Sequence, residues 1–454
     1  MACYSKKDTF RMTRFFIFNF QIRIVDSIIS LHLMAFTYFQ VYSKIINQNH
    51  NENINQMTNS YHPVEQSKRT AIVDILRGWA ILGVAIGNYQ DFLYIGVERE
   101  IKFDTFSEIL QIVNRYLFSA KSWTLLTLLF GYGFAILINN VASKGKNPVT
   151  FFAWRMLLLF VLAFINSSFW LGDILKDYAF LGLVLLLFYK SSTRTLSIIC
   201  AFIFLTIPFL MAYVNTFKIE HIVIATNPEY LKLYHSGNWI EFFRFNLLAS
   251  FYEQIIIPGY AITAHYVMLG CMLFGFLLQK LNFFNRLTEL KKLLKYVCFI
   301  SFVCSVFIGI GFFIAVQNKA GFLKFFHPLY WLVLCTMFFI ATGISLLYTN
   351  GKLKTIFSYF SAGGKMTLTN YMSQNILAAF LFSGIGFGIA DSMPYWFYFL
   401  LAIFIFIIQL FISKWWLSKY NYGPIEWLWR SASYREFVPF KKTHTEIAVD
   451  IKTV

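Results

Sequence analysis

Apolar runs of roughly twenty residues recur along most of this 454-residue chain, separated by short polar connections. Each run is long enough to cross about 30 Å of hydrocarbon as an α-helix. The runs fall at 71–95, 118–139, 151–171, 174–190, 194–215, 255–279, 293–316, 327–348, 366–390 and 394–418. The pattern predicts an all-α fold, a polytopic membrane helical bundle of about ten transmembrane helices.

The charge distribution predicts how this bundle is oriented. The chain is 58% hydrophobic, only 13% charged, and carries a net charge of +17. Its basic residues cluster in alternate connections: Lys68 and Arg69, Lys144 and Lys146, Lys190 and Arg194, 280–295, 352–365, and 414–442. Under the positive-inside rule these connections are cytoplasmic, so both ends of the bundle lie inside. The basic excess therefore reflects topology, and the expected partner is the lipid bilayer rather than nucleic acid.

Three regions follow from these patterns. Residues 1–68 form a basic N-terminal extension with an Asn-rich linker, read either as an interfacial helix or as an artefact of start-site choice with the true start at Met57. Residues 69–420 form the integral bundle, with an aromatic outer loop at 216–254 that is either a binding cap or amphipathic helices resting at the interface. Residues 421–454 form a cytoplasmic amphipathic tail, predicted to anchor at the membrane surface. The six cysteines show no metal-ligand spacing, so no metal site is expected.

Charged and amide side chains inside the apolar runs are the candidate site residues. Asp74 and Arg77 stand one helical turn apart at the head of the first run. A charged pair facing lipid is too costly, so it should point into a protein interior or a polar cavity. In the ninth run, Asn370 and Gln374 lie on one polar face with Thr367, and we expect that face to meet the Asp74 and Arg77 face.

The third run adds a second set of candidates. Arg155 and Asn166 are eleven residues apart, about three helical turns, so they share a face. Arg155 is read either as a functional cation or as a snorkelling interface anchor. Asp173 is read either as a catalytic base or as the N-cap of the fourth helix, where Tyr178 follows. His265 is a further site candidate in the sixth run, although hydrogen bonding between helices explains it equally well.

Several of these segments resemble the YeiB family of bacterial inner-membrane proteins, a family classed as of unknown function. The resemblance runs from about Arg69 to Phe440 and rests on five motifs: Asp74-Ile-Leu-Arg77-Gly78, Leu129-Phe130-Gly131-Tyr132-Gly133, Gly172-Asp173-Ile-Leu, Met366-Thr-Leu-Thr-Asn370-Tyr371, and Tyr422-Gly423-Pro424-Ile-Glu426-Trp427-Leu-Trp429-Arg430. That family is similar in turn to the transmembrane acyltransferases, which pass an acyl group from a cytoplasmic thioester to an acceptor outside. Their pattern places a His eleven residues after an Arg, whereas here residue 166 is Asn.

The resemblance implies a function for the candidate residues. Acyl-CoA would be the donor substrate, no cofactor would be tightly bound, and an envelope glycan or lipid would be the acceptor. Arg155 would hold an anionic donor group, Asp74 and Arg77 would shape the cavity, and Asp173 would be the base at its outer mouth, with His265 as the substitute. A carboxamide cannot take a proton from the acceptor, so Asn166 would only position it. The rival hypotheses are a transporter or exporter of a small amphiphile and a non-catalytic envelope partner.

Overall fold

The computed structural model describes residues 70–95, 104–217, 227–390 and 393–442, which all lie within one compact unit. The predicted N-terminal extension, 1–68, lies outside the described residues. Fifteen α-helices follow one another in these ranges: α1 Ala71–Asp91, α2 Thr105–Val113, α3 Lys121–Ala142, α4 Pro148–Phe169, α5 Leu175–Leu185, α6 Thr193–Val214, α7 Pro228–His235, α8 Trp239–Phe251, α9 His265–Lys280, α10 Lys291–Gln317, α11 Leu329–Thr349, α12 Lys354–Lys365, α13 Thr367–Phe382, α14 Tyr395–Lys419 and α15 Pro424–Tyr434. The all-helical membrane fold is thus confirmed.

Eight helical segments in the described part of the chain are long and apolar enough to cross a membrane. Two of the ten predicted runs form shorter helices. The run at 174–190 becomes α5 followed by one tight turn, Leu186–Phe188, and the run at 366–390 becomes α13, only 16 residues long. A break at Met366 separates α13 from α12, so the polar segment before it is a separate helix.

Close helix crossings occur where glycine removes the side chain. A Cβ atom on Gly131 of α3 would lie 1.9 Å from the carbonyl oxygen of Met272, and one on Gly275 of α9 would lie 1.8 Å from that of Leu128. These two helices therefore interlock through backbone contact, as small residues permit in membrane bundles.

The connection at 216–254, which is predicted to lie outside, is folded onto the bundle in its described part. Its described part forms α7 and α8, and Tyr234, Phe242 and Phe245 are completely buried beside Phe382 of α13. Trp239 and Ile240 of α8 stay exposed, so the interfacial position of these helices stays a prediction, but the three buried rings pack into the bundle. They belong to an outer core, distinct from an inner core around α1, α3, α5 and α9.

The tail is also part of the bundle. Helix α15 begins at Pro424 and packs against α4 and α13, with Ser431, Ser433 and Tyr434 buried. Trp154 of α4 donates a hydrogen bond from Nε1 to the carbonyl oxygen of Ala432, at 3.1 Å. The tail therefore covers one end of the bundle, beyond the surface anchoring that its composition predicts.

Candidate functional site

A cavity of about 310 Å³ lies between the N-terminal ends of α1, α4 and α13, the C-terminal half of α3, and α15. Its polar wall contains four basic and two acidic side chains: Arg77, Arg155, Lys365, Arg430, Asp74 and Glu426. The deeper wall is mostly apolar and includes Ile81, Leu126, Phe130, Met156, Leu159, Ile174 and Leu175, together with Tyr178 and Tyr371. The cavity is thus amphipathic, with cations at one end and hydrocarbon at the other.

Asp74 and Arg77 form an ion pair in this cavity, because residues three apart lie on the same face of α1. Arg77 Nη1 donates to Asp74 Oδ1 at 3.1 Å, while Asp74 Oδ2 is buried without a hydrogen-bond partner in the described structure. The pair can lie here because α1 and α12 approach closely: a Cβ atom on Gly364 would stand 1.8 Å from the carbonyl oxygen of Asp74. Similarly, a Cβ atom on Gly133 would stand 3.2 Å from Arg77 Nη2. The glycines of these motifs make room for the charged pair.

Arg155 is buried in the cavity wall, with 8% of the residue exposed. Its guanidinium carbon lies 3.7 Å from the ring centroid of Trp429, and Trp429 Nε1 donates to the Arg155 carbonyl oxygen at 3.1 Å. Nη1 is buried and has no hydrogen-bond partner in the described structure. The snorkelling interpretation is wrong, because the side chain is held under an indole ring instead of reaching water. A buried cation in this state is a candidate binding site for an anion.

Two distant motifs meet at the cavity through Glu426. Its Oε1 accepts from the backbone N–H of Leu368 at 2.6 Å and of Thr369 at 3.0 Å, and its Oε2 accepts from the Thr369 hydroxyl. In return, Thr369 Oγ1 accepts from the backbone N–H of Ile425 at 3.2 Å. The Glu426 carboxyl group therefore caps the start of α13, where free N–H groups need acceptors. Gly423 is required beside it, because a Cβ atom there would stand 2.2 Å from Oε2.

Asp173 lies in the turn between α4 and α5 and is fully buried. Oδ1 accepts from Asn166 Nδ2 at 2.6 Å and from the Tyr371 hydroxyl at 3.3 Å. Oδ2 accepts from Ser167 Oγ and from the backbone N–H of Lys176, both at 3.3 Å. Burial raises the pKa of this carboxyl group above its ordinary value, against the opposing effects of Lys176 and of the Asn166 hydrogen bond. The expected outer mouth is absent here, because Asp173 is enclosed by protein.

The N-cap of α5 is Ile174, one residue after Asp173, although Asp173 Oδ2 accepts from the Lys176 N–H in the first turn of α5. Tyr371 lines the cavity and also donates to Asp173, so one hydroxyl links the cavity wall to the buried carboxylate. The same hydroxyl accepts from the backbone N–H of Ile174 at 3.2 Å. Asn166 holds the other side of the carboxylate and accepts from Asn375 Nδ2 at 3.3 Å. Asn166 thus positions Asp173.

His265 belongs to a separate polar cluster. Its Nε2 lies 3.1 Å from Asp177 Oδ1, Tyr260 donates to Asp177 Oδ2 at 2.8 Å, and Nδ1 lies 2.8 Å from the Ala261 carbonyl oxygen. Because a carbonyl oxygen only accepts, Nδ1 carries a hydrogen, and the pair shares one further proton at Nε2. This cluster is outside the cavity wall, so His265 is not brought together with Arg155 and Tyr371.

Asn370 and Gln374 point away from the cavity, towards α14. Asn370 Nδ2 donates to Ser413 Oγ at 3.1 Å, and Gln374 Nε2 donates to Gln409 Oε1 at 2.6 Å. These amides connect two helices. Neither residue lines the cavity, so a contact between them and a substrate stays a prediction. The neighbouring positions Thr367, Leu368 and Tyr371 line the cavity instead.

Sequence reasoning also missed several site residues. Tyr371 lies in the Met366–Tyr371 motif, and Glu426 and Trp429 lie in the Tyr422–Arg430 motif. Membership of these motifs was the only sign in the sequence that the three residues matter, and their spacing does not predict which residues they contact. Tyr178 was predicted and does line the cavity, where its ring packs against Phe130 with centroids 5.3 Å apart. In the described ranges no three His, Cys, Asp or Glu side chains form a group that could hold a metal ion.

The fold and cavity define a polytopic helical membrane protein with an amphipathic internal site. Residues 278–436, which contribute α12, α13 and α15, match the family model described as a protein of unknown function (DUF418). The chain is 28% identical over 407 residues to the uncharacterized protein YxaH of Bacillus subtilis (strain 168), covering 84% of this chain and 98% of that protein. It is 23% identical over 407 residues to the uncharacterized protein YeiB of Escherichia coli (strain K12), covering 82% and 98%.

A third relative is an uncharacterized 39.9 kDa protein encoded in the amylase 3′ region of Bacillus acidopullulyticus, 25% identical over 380 residues, with 83% of this chain and 97% of that protein covered. No solved structure matches the chain. Together these matches confirm the resemblance that the motifs predicted: the chain is similar to YeiB along most of its length, and its residues 278–436 match the DUF418 model.

Proposed function

We propose that this protein transfers an acyl group from a cytoplasmic thioester donor, such as acyl-CoA, to a hydroxyl group of an envelope glycan or lipid. One observation carries the proposal: an amphipathic cavity with a buried, unsatisfied guanidinium at one end is connected through Tyr371 to a buried carboxylate at the other. An anionic donor with an acyl chain and a base for the acceptor are the two things that acyl transfer needs.

The orientation follows from the charges. We propose that the bundle has ten membrane helices, with α5 and α13 as the two short ones, and that it lies in the bacterial inner membrane with both ends cytoplasmic. The support is that the cavity wall includes Thr70, which directly follows Lys68 and Arg69, and Arg430 of the basic tail. Asp173 and Asn166 then lie towards the outer leaflet, since Asn166 is eleven residues, about 16 Å, further along α4 than Arg155.

At the donor end, Arg155 binds the anionic group of the donor. A guanidinium that is already buried in a cavity has lost its water, so a bound oxyanion gains a charge-assisted hydrogen bond without a further desolvation cost on the protein side. Trp429 holds the guanidinium in place from one face, which leaves its edge for the ligand. Asp74 and Arg77 shape the same wall.

At the acceptor end, Asp173 receives the proton of the acceptor hydroxyl through Tyr371. Both Asp173 oxygens are occupied by hydrogen bonds, so the hydroxyl of Tyr371 is the route to the cavity. The acceptor oxygen loses its proton to Tyr371, which passes its own proton to Asp173. The new C–O bond forms at the acyl carbon, the C–S bond breaks, and the thiolate leaves with the electron pair and is protonated from water. The raised pKa of Asp173 makes it a stronger base than an ordinary aspartate.

The test is thioester consumption by the purified full chain in proteoliposomes with a pooled envelope extract as acceptor. We expect Arg155→Gln to raise the KM for the donor and Asp173→Asn to lower kcat by about 10²-fold or more. Arg286→Gln is the matched control, because Arg286 is exposed and pairs with Glu289 outside the cavity. Unchanged kinetics in Arg155→Gln, or no thioester consumption by wild type with any fraction, would reject the proposal.

A chain of amides supports a second candidate, a transporter or exporter of a small amphiphile. Asn375 bridges Asn166 and Asn88, with Asn88 Nδ2 donating to Asn375 Oδ1 at 3.0 Å, so polar groups continue from Asp173 towards the far end of α1. Solute flux across the proteoliposome membrane without thioester consumption favours this candidate. Absence of both activities, with proteins that copurify, favours a non-catalytic envelope partner.

A further inference from the structure

The cavity wall contains two buried polar atoms of opposite hydrogen-bonding character that have no partner in the described structure. Arg155 Nη1 can only donate, and Asp74 Oδ2 can only accept. Their residues are 8% and 3% exposed, and both line the same cavity. Leaving either atom without a hydrogen bond costs about 1–3 kcal/mol, and more for a charged group. The cavity should therefore bind a ligand that satisfies both atoms more tightly than a ligand that satisfies only one.

The surrounding charge decides which kind of donor faces Asp74. Asp74 already forms an ion pair with Arg77, and the other acidic group of the wall, Glu426, is engaged by α13. Lys365 and Arg430 add two further positive charges to the wall, and Arg430 interacts electrostatically with Arg155. A ligand ammonium group would meet this excess of cations, whereas a hydroxyl or amide N–H would not. The ligand atom opposite Asp74 is therefore a neutral donor.

The same charges decide what faces Arg155. Two guanidinium groups that face one cavity repel each other unless an anion lies between them, and the planar arginine side chain is suited to phosphate oxygens. The remaining wall is hydrocarbon, with Ile81, Leu126 and Leu159 as examples. A volume of about 310 Å³ accommodates a head group and only the first part of a chain.

From these three features we propose that the cavity selects a phosphate ester whose head group also carries a neutral hydroxyl or amide N–H. This inference rests on the proposed function, because it specifies the anionic ligand that Arg155 binds in the same site. Two sources share the chemistry: a membrane lipid with a glycerol phosphate head, and a soluble cytoplasmic ester such as coenzyme A, which has hydroxyl and amide groups beside its phosphates.

Binding to the detergent-purified full chain tests the proposal with two matched pairs of probes. Short-chain phosphatidylglycerol is compared with short-chain phosphatidylmethanol, which keeps the charge of the diester but lacks the hydroxyl groups. Coenzyme A is compared with inorganic pyrophosphate, which has the phosphate charge but no neutral donor. In at least one pair, we expect wild type to prefer the ligand with the neutral donor by about tenfold, the value of one hydrogen bond to a charged group. The pair that shows the preference identifies the source.

Asp74→Asn should remove this preference while phosphatidylmethanol or pyrophosphate binds at least as tightly as to wild type, because the amide keeps one acceptor for Arg77 and removes a negative charge from the wall. Arg155→Gln should weaken both members of the pair, and Glu289→Gln, at an exposed position, is the control. No preference in either wild-type pair overturns the proposal even where a variant fails to fold. A preference that persists in folded Asp74→Asn overturns it as well.

The two hypotheses fail in different ways. Preference without thioester consumption would reject acyl transfer and keep the ligand class. Thioester consumption without preference would reject the ligand class and keep acyl transfer.

Discussion

The contact of Glu426 with the start of α13 predicts how much stability the protein loses when the carboxyl group is removed. Replacing Glu426 by Ala removes the acceptor of two backbone N–H groups, those of Leu368 and Thr369, and of the Thr369 hydroxyl. Each N–H left without a partner in a buried region costs about 1–3 kcal/mol. We therefore expect Glu426→Ala to lower the free energy of unfolding by about 2–6 kcal/mol, within the range of strong capping effects and buried hydrogen-bond losses.

Glu426→Gln separates the cap from the charge. The amide oxygen of Gln can keep the two N–H bonds, so only the contact with the Thr369 hydroxyl is altered, at about 1 kcal/mol. Unfolding by denaturant in detergent micelles, followed by circular dichroism, measures both variants against wild type. Glu289→Ala is the control, because its side chain is 64% exposed and its ion pair with Arg286 is a surface pair of little value.

The results that would refute this reasoning are specific. If Glu426→Ala unfolds within about 0.5 kcal/mol of wild type, the carboxyl group does not cap α13. If Glu426→Ala and Glu426→Gln are equally destabilising, the stabilising effect of Glu426 comes from its charge and not from its hydrogen-bond acceptors. A cap loss should also alter the cavity, because Thr367, Leu368 and Glu426 all line it.

Three further outcomes are expected. Burial raises the pKa of Glu426, so its contribution to stability is fully present below the ordinary value of 4.5 and is lost as pH rises through the folded pKa; Glu426→Gln should remove this dependence in pH-resolved unfolding. Gly364→Ala should destabilise the bundle by several kcal/mol, because its Cβ would stand 1.8 Å from a backbone oxygen of α1, whereas Gly343→Ala, with open space around it, should be neutral or stabilising in the same assay. Tyr371→Phe should lower kcat for acyl transfer with little change in donor KM, and an effect on KM alone would contradict the relay.

The candidate site could be predicted only in part. Asp74 and Arg77 were found because a charged pair is expensive in a membrane and must face an interior, which is true whatever the partner helix is. Arg155, Asn166 and Asp173 were found by spacing on one helix and by the family resemblance. Spacing could not predict that Asp173 is enclosed, since enclosure depends on what packs above the turn.

Asn370 shows the limit of helical periodicity. The pattern of α13 correctly predicts a polar face that needs partners. The polar side chains of that face cover a wide arc, however, and two consecutive residues point about 100° apart around the helix axis, so they can contact different helices. Asn370 therefore meets α14, while the adjacent Tyr371 reaches the cavity and Asp173. No local property of the sequence distinguishes these two outcomes.

The sequence by itself determined the membrane environment, the helical class and the approximate positions of the apolar helices, because burial of backbone polar groups in lipid permits few solutions and hydropathy is a local quantity. Its motifs also predicted the similarity to the YeiB family. The tertiary structure alone decided that Glu426 returns to cap α13, that Trp429 covers Arg155, and that His265 stands apart with Asp177. These contacts join residues far apart in the chain, and their geometry is set by how whole helices pack, which local patterns do not encode.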